Sequence, residues 1–144
     1  MEAAASNAGG SERVSFRRLL WVGPLAVVAA VAVNVVIRTV AVALFGLTDF
    51  PPLMLGPTIL FTIFGVLGAV MVFALVARFS GRPIRLFRRV ALVALLVTLV
   101  PDVLLLVAPS ISGTTVAGVL TLMAEHVAAW AVSVGILTTL TRER

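Results

Sequence analysis

Residues 57–77 read PTILFTIFGVLGAVMVFALVA, and residues 78–89 continue RFSGRPIRLFRR. The first stretch carries no charge over a length that a helix needs to cross about 30 Å of hydrocarbon. Its apolar residues are continuous rather than striped. A helix apolar all round lies in lipid or in a large core, and 144 residues are too few for a large core. The second stretch packs five arginines into one short turn region. An apolar span ending in a basic turn is the pattern of a polytopic membrane helix.

Outward from this pair, three more apolar runs appear. One covers about 19–45 and stops at Gly46, Asp49 and Pro51-Pro52, a pair unable to continue a helix. Another covers about 84–107 and contains Pro101, and the last covers about 115–140 after the hydroxyl-rich Ser112-Gly113-Thr114, residues that offer helix N-caps. Pro57 suits the first turn of its helix, and Ser80-Gly81 closes it. Membrane strands alternate polar and apolar residues over about ten positions. These runs are longer and do not alternate, so the predicted fold is all-α, a bundle of four transmembrane helices over residues 17–141. Residues 1–16 are small and polar and are expected to be a disordered cytoplasmic segment, and 142–144 a short cytoplasmic tail.

Composition agrees. The chain is 61% hydrophobic and 12% charged, about half the charge of an ordinary soluble domain. All basic residues are Arg, with a net charge of +5. They lie beside hydrophobic runs, which fits headgroup anchoring rather than nucleic acid. Arg13, Arg17 and Arg18 precede the first span; Arg78, Arg82, Arg85, Arg88 and Arg89 lie between the second and third; Arg142 and Arg144 follow the fourth. The loops 46–56 and 108–114 have no basic residue. The positive-inside rule then sets both termini in the cytoplasm and the chain in a cell (cytoplasmic) membrane. Arg17-Arg18 followed by Ala30-Val31-Ala32 has the look of a signal peptide, but the apolar run continues well beyond the usual h-region of about 7–15 residues. The absence of Lys beside abundant Ala, Val and Arg points to a bacterial source of high GC content. With no Cys, disulfide, thiolate and iron–sulfur chemistry are excluded.

Ionisable groups inside spans are costly and mark candidate sites. Here they are Arg38, Asp102, Glu125 and His126, joined by the amide of Asn34. Counting about 1.5 Å per residue from the helix ends sets Arg38 and Asp102 about 8–10 Å deep, and Asn34, Glu125 and His126 about 15–17 Å deep. Two layers follow: Arg38 with Asp102, and Asn34 with Glu125 and His126. Asn34 and Arg38 share a helix face. Pro101 should kink the third span and free the carbonyl of Val97, with Thr98 a candidate partner. A pocket opening to the outer face is expected there. Each residue also has a plain structural role: Arg38 can snorkel, Asp102 can sit in the wet interface, and Asn34 or His126 can bond helix to helix. Gly65, Gly68, Ala69, Ala131 and Gly135 form small-residue seams for helix contact, and Trp21 and Trp130 serve as apolar anchors.

The stretches FPPLMLGPTILFTIFGVLGAVMVFALVARFSGRPIRLFRRVALVALLVTLVPD and LMAEHVAAWAVSVGILTTL, with Asn34 and Arg38, resemble a family of small bacterial four-span membrane proteins known only as a domain of unknown function. Pro101-Asp102 and His126 carry most of the likeness. Members typically show Met before this His, where the present chain has Glu125. The resemblance implies a fold and no activity.

Three functions are compatible with these residues. The first is binding or transport of a small polar or anionic ligand or lipid headgroup by Asn34, Arg38, Asp102, Glu125 and His126. For transport, four helices call for a homodimer or another membrane subunit. The second is an enzyme acting on a lipid or quinone-like substrate, with Glu125 or His126 as base and Arg38 stabilising charge. The third is a structural helper subunit. No cofactor is implied. One His with scattered carboxylates is a poor metal pattern, so no metal is assigned.

Overall fold

The computed structural model describes residues 12–143. Four helices make up the chain: α1 (Phe16–Phe45), α2 (Leu55–Phe79), α3 (Pro83–Val107) and α4 (Val116–Leu140). A 3₁₀ turn, Pro51–Leu53, interrupts the α1–α2 connection. The protein is all-helical, and each of the four helices is long and apolar enough to cross a membrane. Their boundaries fall within about three residues of the expected spans.

The helices form a ring in which α1 touches α2, α2 touches α3, α3 touches α4 and α4 closes on α1. α2 and α4 also meet across the middle, which keeps α1 and α3 apart on the other diagonal. The direction of each helix follows from what meets at one end. Val14 and Arg142 form an antiparallel bridge, and the backbone N–H of Ser15 donates to the Thr141 carbonyl at 2.9 Å. The Glu12 carboxylate accepts from the amides of Ile84 and Arg85 at 2.8 and 3.3 Å. The start of α1, the start of α3 and the end of α4 therefore share one end, the arginine end. The bundle runs up and down in sequence.

This contact revises the expectation for the N-terminal segment. Residues 1–11 lie outside the described residues, but Glu12–Ser15 are docked. α3 opens on Pro83, and its own N-cap residue, Arg82, supplies no side-chain bond. Glu12, which is 72 positions upstream, satisfies the first free amides instead, where a carboxylate also suits the positive helix end.

The opposite end is closed by its connections. Gly46 turns the chain out of α1 at φ 65°, and its N–H donates to the Val42 carbonyl. Leu47, Phe50 and Leu53 then fold back and pack with Ala41 and Val119. A Cβ at Gly118 would meet the Phe50 ring at 3.0 Å, so this glycine lets the ring lie on α4. Gly113, at φ 75°, backs onto the Asp49 carbonyl, where a Cβ has no room. The α4 cap is Thr115, whose hydroxyl accepts from the Gly118 amide at 3.0 Å, one residue beyond the expected Ser112–Thr114 set.

A second apolar cluster fills the arginine half: Leu19, Val22, Ala26 and Ala30 of α1 pack with Val66 and Phe73 of α2, Phe87 and Ala91 of α3, and Val134 and Leu137 of α4. Phe73 and Phe87 meet edge-to-face at 4.8 Å. The expected glycine seams are not used inside the bundle. Gly65, Gly68, Ala131 and Gly135 are exposed; the close approach is made at Gly23, where a Cβ would lie 3.2 Å from Val70. Trp130 likewise is half-buried against the core rather than an anchor at a boundary, whereas Trp21 is exposed near the arginine end. α3 runs through Pro101 without interruption. The Thr98 hydroxyl donates to Leu95 at 2.8 Å, not to Val97.

Two glycine substitutions should separate these environments in denaturant unfolding from detergent. Gly113→Ala is expected to lose about 1–3 kcal/mol through positive φ and the Asp49 clash. Gly65→Ala should be neutral or gain up to about 1 kcal/mol from helix propensity. Equal responses would contradict the loop packing described.

Candidate functional site

A polar layer separates the two apolar clusters. On α1 it begins with Asn34, one turn past Ala30. Asn34 is 3% exposed and its amide Nδ2 donates to the Thr62 hydroxyl of α2 at 2.9 Å. Thr62 donates in turn to the Thr58 carbonyl at 2.6 Å. Asn34 Oδ1 and Thr58 Oγ1 are buried and find no partner in the protein. Thr58 and Thr62 were not singled out from the sequence. Their signal was the four-residue spacing, which aligns both hydroxyls on the face later occupied by Val66 and Phe73.

Arg38 follows Asn34 by one turn. It is half-buried, and its Nε donates to the carbonyl of Leu53 in the folded-back loop. This contact turns Arg38 toward the bundle and the loop rather than outward along lipid. Glu125 of α4 is 5% exposed, with Oε1 unpartnered. No ion pair within 4.0 Å joins it to Arg38 among the described residues.

Asp102 and His126 form a separate pair on the α3–α4 side. Asp102 is 3% exposed, and its Oδ2 lies 3.2 Å from His126 Nδ1. The same nitrogen lies 2.9 Å from the Leu122 carbonyl. A nitrogen flanked by two oxygen acceptors must carry the hydrogen. The Leu122 carbonyl takes that hydrogen, so Asp102 Oδ2 stands close to the ring but accepts no hydrogen bond. Nε2 of His126 is left free on a side chain that is 34% exposed. One turn further, the indole N–H of Trp130 is buried without a partner. This donor was missed because Trp130 reads as an apolar anchor.

The structure thus regroups the expected layers. Arg38 is not paired with Asp102, because α1 and α3 occupy opposite corners of the ring. Asp102 pairs with His126, which counting along each helix had set deeper. Depth counted from helix ends ignores stagger between neighbours and the reach of the side chains. His126 points to Asp102, a partner that Glu125 does not share among the described residues. Adjacent residues on a helix diverge by about 100°. Consistent with this divergence, among the described residues no three His, Cys, Asp or Glu side chains converge as a metal site.

The cluster is roofed by Leu47, Phe50 and Leu53, all buried. The 47–53 segment lies on the side where an outward opening is expected, and Arg38 is bonded to it through the Leu53 carbonyl. The chain matches no family model, no curated protein and no solved structure.

Double-mutant cycles on unfolding stability check this regrouping. Asp102→Asn with His126→Gln should show a coupling of about 0.5–2 kcal/mol, as contacting residues do. Asn34→Ala with Thr62→Val should couple by about 0.6 kcal/mol, typical of interhelical hydrogen bonds in membranes. Arg38→Gln with Asp102→Asn should be additive within about 0.5 kcal/mol. Strong coupling in the last cycle would restore the layered pairing.

Proposed function

We propose that this chain is a multi-pass protein of a bacterial cytoplasmic membrane, with both termini in the cytoplasm, that binds or carries a small polar or anionic ligand, or a lipid headgroup, at the polar layer. A membrane setting is supported by the outward faces of all four helices. They expose rows of Leu, Val and Phe, from Leu20 and Phe79 to Val107, far beyond the apolar patches water-soluble monomers tolerate. The arginine asymmetry supports the orientation. The family resemblance remains a resemblance and brings no activity with it.

One observation carries the binding reading. Asn34 Oδ1, Thr58 Oγ1, Asp102 Oδ2 and Glu125 Oε1 are all buried and accept no hydrogen bond from the protein, in a layer drawn from all four helices. Each such atom costs about 1–3 kcal/mol. Apolar residues would pack the same space more cheaply, so the layer serves something polar: a ligand, or protons carried by Glu125 and the Asp102–His126 pair. Arg38 supplies the cationic contact. An entering anion competes with the Leu53 carbonyl for its guanidinium, so capture and release of the 47–53 roof become one event. A homodimer or a second membrane subunit completes the pathway if the ligand is transported.

The absence of native cysteine makes topology directly testable. Ser112→Cys should react with a membrane-impermeant maleimide on intact cells, and Ser80→Cys only after lysis; the reverse would invert the orientation. For binding, native mass spectrometry of the wild type in mild detergent is expected to show a discrete adduct. Arg38→Gln should weaken it by about tenfold, the effect of losing a charge-assisted contact. No adduct on either protein, with a partner mass instead, would replace this reading with that of a structural subunit.

A further inference from the structure

At the other end of the bundle two neighbouring cavities open. One of about 610 Å³ is lined by Arg18, Thr139, Leu140, Arg142 and Glu143. The second, of about 400 Å³, is lined by Glu12, Ile84, Arg85, Arg88, Thr138, Thr139 and Arg142. Thr139 and Arg142 belong to both, so the end of α4 stands between them. Four arginines face two glutamates here.

The glutamates do not neutralise this surface evenly. Glu12 is held on the α3 amides and 3.7 Å from Arg85. Arg18 and Arg88 have only neutral partners, the Arg142 carbonyl at 3.1 Å and the Thr138 hydroxyl at 3.4 Å. Arg142 forms no ion pair among the described residues. Arg88 and Arg142 thus face the second cavity beside Thr139 with donors to spare, and Arg18 stands on the other side of α4 in the first. Each is a planar fork suited to phosphate oxygens.

The face of α4 that runs away from this point is unusually low. Ala124, Ala128, Ala131, Gly135 and Thr139 recur at three- and four-residue steps, which align them on one side of the helix. Ala124, Ala131, Gly135 and Thr139 are exposed, and a Cβ at Gly135 would meet nothing within 4 Å. The result is an apolar trough, shallow enough for a hydrocarbon chain, leading from the arginine cluster into the span.

We infer that Arg88 and Arg142, which face the same cavity, hold the phosphate of an anionic phospholipid, with one acyl chain lying in the α4 trough. Charge complementarity selects this occupant. A zwitterionic lipid offers the same phosphate but brings an ammonium group into a field already positive. Free phosphate satisfies the arginines but leaves the trough unused. The site is at the opposite end from the polar layer and stands independently of the function proposed for that layer.

The test is native mass spectrometry of the full chain in mild detergent. It is titrated with phosphatidylglycerol, with phosphatidylcholine of the same acyl chains, and with inorganic phosphate. Phosphatidylglycerol should bind about tenfold more tightly than the choline lipid, given about 1 kcal/mol per engaged basic residue near a membrane surface. The double variant Arg88→Gln/Arg142→Gln should remove that preference, while the cavity-distant Arg78→Gln keeps it. Gly135→Leu should weaken both lipids by filling the trough and leave phosphate adducts unchanged. If the double variant fails to fold, judged by its thermal midpoint, Gly135→Leu and single Arg142→Gln carry the same comparison. Equal binding of the two lipids, or a preference untouched by the arginine variants, overturns the inference. Phosphate adducts that displace the lipid, with no effect of Gly135→Leu, identify a free-phosphate site instead.

Discussion

The structure depends on burying polar groups in a medium that cannot solvate them. The apolar cluster around Phe73 and Phe87 and the one around Phe50 are both complete in themselves. Between them lie Asn34, Thr58, Thr62, Asp102 and Glu125, all buried. In lipid such groups must face inward and pair with one another. That requirement sets the rotation of the helices: Asn34 and Thr62 turn α1 and α2 toward each other, and Asp102 and His126 turn α3 and α4 toward each other. Apolar packing alone would not choose one rotation, because the four helices are nearly uniform around their circumference and lipid tails are as apolar as their side chains.

The same constraint accounts for the closed loop end. Arg38 is a permanent cation below the roof, and its bond to the Leu53 carbonyl gives it a partner without bringing in solvent. The carbonyl ends the 3₁₀ turn that Pro51 and Pro52 impose, so the proline pair does more than stop α1. It directs a backbone acceptor down to the arginine and places Phe50 and Leu53 over the layer. A roof held by one neutral acceptor is weaker than one held by a carboxylate. The segment over the polar layer is therefore tied to it by a single charge-assisted bond.

Much of this was legible in the sequence, for physical reasons. The helices were readable because spanning length and uninterrupted apolarity are one-dimensional properties. Asn34 and Arg38 were readable as one face because four-residue spacing is local. Pairing across helices was not readable, since it depends on which helices are diagonal. α2 and α4 meet in the middle, α1 and α3 do not, and this separates Arg38 from Asp102. Small residues were misleading for a related reason. Gly65 and Gly135 have the composition of a seam, yet it is Gly23, Gly113 and Gly118 that are pressed by neighbours; exposure, not residue type, decides. Glu12 was hidden by its setting in a small polar segment, where nothing local reveals that it caps a helix 72 positions away.

The two ends of the bundle now differ in kind. One is sealed by apolar loop residues above an incompletely paired polar layer. The other is open, ringed by arginines, and tied together by the bridge between Val14 and Arg142. That bridge joins the chain's first described segment to its last, so anything bound at Arg142 also bears on α1 through Ser15 and on α3 through Glu12. α1 carries Asn34 and Arg38, and α4 carries Glu125 and His126. The arginine end and the polar layer are therefore two stations along the same pair of packed helices, α1 and α4.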